Sequence, residues 1–149
     1  MNQRGFTLVE IMVVLAIVMT IAAIAMPSYT ENINRSKRAE AKAQLLEAAQ
    51  FMQRFYSQND SYAQNRAGNA VAIPDALARV PRTAAAGSQN YGIGFATPAP
   101  TTATFTLQAA PRLGGSMAGD KCGTFTLTQA GQRGVAGNAA GTTADSCWK

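Results

Sequence analysis

The feature that most constrains this chain is the run from Phe6 to Met26, interrupted only by Thr7, Glu10 and Thr20. Its 21 residues, at a helical rise of about 1.5 Å each, span about 30 Å, the hydrocarbon thickness of a bilayer. A soluble domain has little use for such a segment, and a plain membrane anchor would avoid the carboxylate at Glu10. Arg4 and Gly5 stand directly before it.

Two readings fit these residues. One is a secretory signal peptide with a basic start, an apolar middle and Ala23-Ile24-Ala25 as a small-residue cleavage site. The apolar run is longer than the usual ~7–15 residues of such peptides and carries a charge near its start. The other is a retained transmembrane helix. Pro27 ends the apolar run without ending the helix, and a kink is expected there because proline removes one N–H and crowds the preceding turn.

Helical sequence resumes after Pro27. Glu31 and Arg35 are an i,i+4 pair, and Arg38 to Glu47 consists of strong helix formers. Leu45, Ala48, Ala49, Met52, Phe55 and Tyr56 fall on one helical face, continued thinly upstream by Ile33 and Ala41. One helix from Phe6 to about Ser57 is expected, stopped by the turn residues Asn59-Asp60-Ser61. A connector follows over 58–89, with Pro74 and Pro81 as breaks and a helical turn near Asp75–Arg79.

Three strands show period-two alternation: Tyr91, Ile93 and Phe95; Phe105, Leu107 and Ala109; Phe125 and Leu127. The economical solution is an α+β fold, with the long helix laid on one face of a small antiparallel sheet. The aromatic residues at 91, 95, 105 and 125 are then expected to meet Leu45, Met52 and Phe55. Cys122 and Cys147 are the only cysteines. Behind a membrane-targeting N-terminus, a disulfide is one reading of them, and two reduced buried thiols the other. A bond would tie back the glycine-containing tail and place Trp148, the only tryptophan, where it can cap the sheet edge.

Catalysis finds little footing. The chain has no histidine, which removes the commonest general base and metal ligand. Asp60, Asp75, Asp120 and Asp145 are isolated, and no nucleophile has a visible base. Neither a cofactor nor a metal is expected. The formal net charge of +5 bounds partners only to anionic surfaces in general. Arg79, Arg82, Arg112, Lys121, Arg133 and Lys149 all lie in the loop-rich part and are candidates for one basic, DNA-binding face; scattered solubility charge is the alternative.

Gly5-Phe6-Thr7-Leu8-Val9-Glu10, the apolar run, the proline at its end and the late cysteine pair together resemble the type IV pilins. The stretch from Asp120 to Thr128 and on to Ser146-Cys147-Trp148 looks like the PilE-type minor pilins of the type IVa class, among them ComP-like DNA-uptake pilins. The resemblance implies a leader at 1–5, a polymerisation helix at 6–27 and a head at 28–149. Within the head it implies an amphipathic helix over 28–57, the connector over 58–89, and a sheet with a disulfide loop over 90–149.

The resemblance also implies cleavage between Gly5 and Phe6 by a prepilin peptidase, and N-methylation of Phe6. Glu10 would neutralise the new amine of a neighbouring subunit, and Cys122 and Cys147 would close the loop. A four-stranded sheet is the usual family pattern. The implied partners are other pilin subunits, the inner membrane before assembly and extracellular DNA. The implied location is the inner membrane with a periplasmic head, then the extracellular fibre. Implied roles are pilus biogenesis, twitching motility, adhesion or DNA uptake; the alternatives are a DNA-binding receptor for transformation or a type II secretion pseudopilin. The cluster Arg35, Lys37, Arg38 would favour a cytoplasmic head by the positive-inside rule, against the disulfide and the resemblance.

Overall fold

The computed structural model describes residues 6–149, with backbone only at Ile24 and Pro27. The element order is α1 (Leu8–Asn59), α2 (Asp75–Ala78), β1 (Arg79–Val80), β2 (Tyr91–Phe95), β3 (Thr106–Pro111), β4 (Thr124–Thr128), β5 (Arg133–Ala136) and α3 (Ala144–Trp148). The chain divides into two compact units between Ser36 and Lys37, inside α1.

In the first unit, α1 begins behind Thr7, whose Oγ1 accepts the Glu10 backbone N–H at 3.2 Å. The Thr7-Leu8-Val9-Glu10 spacing is that of a helix N-terminus, and the cap satisfies one of its orphan donors. The helix is long and apolar enough to cross a membrane and continues through Pro27. Thr20 does not interrupt it, because its hydroxyl donates to the Ala16 carbonyl at 2.8 Å. Glu31 and Arg35 pair at 3.5 Å.

In the second unit, α1 lies on a five-stranded antiparallel sheet of order β1-β2-β3-β4-β5. Ala41, Leu45, Ala48 and Met52 are fully buried, at spacings of three and four residues. They share one core with Val80, Tyr91, Ile93, Phe105, Leu107, Ala109, Phe125 and Leu127. Each large side chain so buried stabilises by about 1.5–3 kcal/mol relative to exposure. Registry is regular: Ile93 faces Ala109, Leu107 faces Leu127 and Phe125 faces Val135, so the apolar sets of successive strands share the helix side.

Phe55 is only partly buried and packs on Phe51 at 6.2 Å between ring centroids; Phe51, not Phe55, packs against the core. Tyr56 stacks on Tyr62 at 4.5 Å. The helix ends at Asp60, whose positive φ of 55° makes the left-handed C-cap, its N–H donating to Tyr56 O at 2.8 Å.

The sheet has two strands beyond the three expected from alternation. β1 falls inside the connector, at Arg79–Val80, paired with Gly92 and Tyr91. It forms because the buried Gln44 side chain on α1 donates to Leu77 O at 3.0 Å and Arg79 O at 2.6 Å, pinning the incoming chain. β5 falls in the glycine-containing tail. Gly134 pairs with Thr126, and a Cβ there would lie 2.6 Å from Thr126 Oγ1, so any larger residue would make that hydroxyl turn away.

Candidate functional site

The first candidate site is the start of α1. Phe6 is 79% exposed, and the apolar residues Leu8, Val9, Ile11 and Met12 that follow are also exposed on every side of the helix. Glu10 is among them, held in the first turn by the Thr7 cap. Gly5 lies outside the described residues. An apolar helix with no buried face must find lipid or other helices to cover it.

The second candidate site is the edge of the head where α1, β5 and α3 meet. Cys122 and Cys147 form a disulfide with a Cα–Cα distance of 5.8 Å. The approach to Cys122 is fixed by Asp120, whose Oδ1 accepts the Cys122 N–H at 3.0 Å. Gly123 follows with φ +59°, where a Cβ would meet Ala136 O at 2.5 Å. The approach to Cys147 is fixed by α3, which starts in a reciprocal cap between Thr143 and Ser146.

Three cations gather at this edge. Lys42 Nζ, on α1, donates to Cys147 O at 2.9 Å and to Lys149 O at 3.0 Å. Arg133, on β5, lies over the Trp148 ring at 5.3 Å from its centroid. Trp148 is held by its Nε1–H to Gly134 O at 2.9 Å and by an edge contact with Phe125 at 5.6 Å. A groove of about 210 Å³ lies here, lined by Arg133, Ala144, Asp145, Trp148 and Lys149. Burial lowers the Lys42 pKa from its ordinary value, and repulsion from Arg38 and Arg133 lowers it further.

The six basic residues singled out by sequence occupy different places. Arg79 on β1 lies 3.9 Å from Asp75, and Arg82 just after β1 pairs with Glu47. Both stand at the β1 edge, opposite the β5 edge that carries Arg133. Arg112 is exposed on the β3–β4 loop. Lys121 precedes the disulfide, its carbonyl accepting Ala139 N–H at 2.9 Å. Of the six, only Arg133 and Lys149 line the same groove. Lys42 is absent from that set; its signal in the sequence is the i+4 spacing from Arg38 on a helix whose neighbouring positions are apolar.

A membrane-length apolar helix running into an antiparallel head, closed by a late disulfide, is the architecture of a type IV pilin subunit. Residues 27–126 match the family described as type IV minor pilin ComP, DNA uptake sequence receptor. Residues 1–26 match the prokaryotic N-terminal methylation motif. The first match covers two thirds of the chain, and the chain belongs to this ComP family of type IV minor pilins.

Among similar proteins, the type IV major pilin protein PilA of Myxococcus xanthus is 42% identical over 62 residues, covering 42% of this chain and 28% of that protein. The type IV wide pilus major component PilA4 of Thermus thermophilus is 33% identical over 66 residues, covering 44% of this chain and 50% of that protein. The chain thus matches between about a quarter and half the length of these relatives. Among solved structures, the Neisseria meningitidis non-core minor pilin PilV aligns with a TM-score of 0.50 at 20% identity, over 75% of this chain and 94% of that one. That likeness is one of fold.

Proposed function

We propose that this chain is a non-catalytic minor subunit of a type IV pilus that binds extracellular DNA at its β5–α3 edge. The observation that carries the first half is the exposed apolar start of α1 behind an N-terminal methylation motif. A prepilin peptidase cuts between Gly5 and Phe6, and Phe6 becomes the methylated N-terminus. Pro27 supplies a kink at the end of the polymerisation helix. Before assembly the subunit is held in the inner membrane with its head in the periplasm; afterwards other pilin subunits cover its apolar helix in the extracellular fibre. The family match favours a pilus over the related secretion pseudopilus.

Glu10 is the assembly residue in this reading. A carboxylate at membrane depth costs roughly 2.5–3.5 kcal/mol at a helix centre. The amine of a neighbouring Phe6 offsets that cost and selects one register. The Thr7 cap and the helix dipole already favour a carboxylate in this turn, so the two roles are separable. Glu10→Ala is expected to leave the chain in the membrane fraction and remove it from sheared filaments. Normal incorporation of the variant would reject the role.

The DNA half rests on side-chain charge that no acidic side chain pairs. Arg79 and Arg82 have acidic partners, whereas the Arg133 and Lys149 side chains have no ion-pair partner among the described residues; Lys42 beside them is held by the Cys147 carbonyl and by Lys149 O. Such a cluster attracts phosphates by releasing counterions, with affinity that falls as salt rises. A mobility shift with the full-length protein in detergent, titrated with salt, tests it; no shift at low salt would reject it.

A further inference from the structure

The arginines of the head are held in two different ways. Arg38, Arg79 and Arg82 each meet a carboxylate, of Asp120, Asp75 and Glu47. Arg133 meets a ring instead: its guanidinium carbon lies over Trp148, 5.3 Å from the ring centroid. The difference matters to a phosphate. A carboxylate takes the edge N–H donors of a guanidinium and offsets its charge, whereas an aromatic face attracts the cation and leaves those donors free.

Arg133 has little else to fix it. Its side chain makes no ion pair or hydrogen bond among the described residues. Lys42 is close enough to repel it. Two grooves open beside it, one lined by Asp145, Trp148 and Lys149, the other, of about 340 Å³, lined by Leu46, Gln50 and Gln129. Asp145 forms no ion pair among the described residues, so the ring sets where the guanidinium rests. The ring itself is well fixed. Its Nε1–H donates to Gly134 O at 2.9 Å, Phe125 meets it edge-on at 5.6 Å, and the preceding residue, Cys147, is bonded to Cys122.

We propose that Trp148 is a positioning residue for DNA binding: its ring face holds the Arg133 guanidinium at the groove it shares with Lys149, with the N–H donors free for a phosphate. Trp148 acts through Arg133 and not by stacking on a base. The inference rests on the reading of the β5–α3 edge as the DNA site.

The test is a double-mutant cycle with the full-length protein in detergent, read by mobility shift of duplex DNA at one low salt concentration. Trp148→Leu is expected to weaken binding about two- to fivefold, the factor that an exposed cation–π contact is worth. In an Arg133→Ala background the same change is expected to do nothing further. Trp148→Phe keeps a ring face, and is expected to restore most of the affinity lost in Trp148→Leu. A second readout needs no DNA. Ring current should move the Arg133 Nε–H resonance upfield in the wild type, and Trp148→Leu should return it to the position of a free arginine.

Equal loss from Trp148→Leu in both backgrounds overturns the proposal, because the ring would then touch DNA itself or hold up the fold. Full affinity in Trp148→Leu overturns it, as does binding by Trp148→Phe no better than by Trp148→Leu, or an Arg133 resonance that ignores the substitution. Each of these strikes the role of Trp148 alone. A wild type that gives no shift at low salt removes the DNA site, and the positioning role with it.

Discussion

Arg38 and Asp120 form a forked ion pair inside the head. Arg38 Nε lies 2.9 Å from both carboxylate oxygens and Nη2 lies 2.6 Å from Oδ2. The side chains are only 8% and 1% exposed. The same carboxylate accepts the Cys122 N–H, so the pair joins α1 to the start of the disulfide loop.

Breaking this pair from one side should be costly. Arg38→Met leaves a buried carboxylate without a counter-ion, and the expected loss is about 3–5 kcal/mol. Arg38→Met combined with Asp120→Leu should cost far less than the sum of the single changes. Urea unfolding of the four proteins in a double-mutant cycle measures the difference. Additive losses would mean that the residues do not act as a unit.

Tyr91 sits beside this pair with a buried hydroxyl that has no hydrogen-bond partner among the described residues. Burial raises its pKa above the ordinary value and the Asp120 charge raises it further, while Arg38 opposes them. A raised folded pKa adds stability that is fully present below the unfolded value near 10 and is lost as pH climbs toward the folded value. Tyr91→Phe removes the orphan group and should be about 1 kcal/mol more stable at neutral pH. It should also lose less stability than the wild type above pH ~10. Thermal melts across pH measure both, and a less stable variant at neutral pH would show that the hydroxyl has a partner.

Reduction of Cys122–Cys147 should loosen one edge of the head. Opening a loop of this separation costs roughly 3–4 kcal/mol. It also frees α3 to leave β5, so Trp148 emission should shift to the red as its ring comes away from Phe125 and Gly134. Unchanged emission on full reduction would mean that the Thr143 cap and Lys42 hold α3 unaided.

The basic residues should separate into two groups in DNA binding. Arg133→Ala and Lys149→Ala should each weaken binding and lower the salt slope by about 0.9 for each duplex phosphate left unneutralised. Arg82→Ala should change little, because Glu47 already holds that guanidinium. The same salt-titrated mobility shift compares them, and equal effects at all three positions would place the site elsewhere.

The parts of this fold that repeat are readable in the sequence. Leu45, Ala48 and Met52 mark the buried face of α1 by their spacing, and the three central strands mark themselves by alternation. The parts held by single distant side chains are not. β1 is two residues long and is placed by Gln44, 35 positions before Arg79. β5 hides behind Gly134, which reads as flexibility and is a close fit to Thr126. α3 begins with Thr143 and Ser146, where the usual pattern has a glutamate or glutamine as the second member. At the site, the basic side chains are visible in sequence but the distant acidic partner of Arg82 is not, because Glu47 meets it only after folding.

The sheet is a simple meander, each strand beside its neighbour in sequence, whereas Lys42 bonds to residues 105 and 107 positions further along. Strand pairing can advance hairpin by hairpin, but the cost of closing these long loops falls on the final step. Until the strands arrive, Leu45 and Met52 have no sheet to cover them. The head therefore has an order of completion built into it: the element synthesised first is sealed by the segment that emerges long after it. A subunit caught before that point carries a second sticky surface besides its membrane segment.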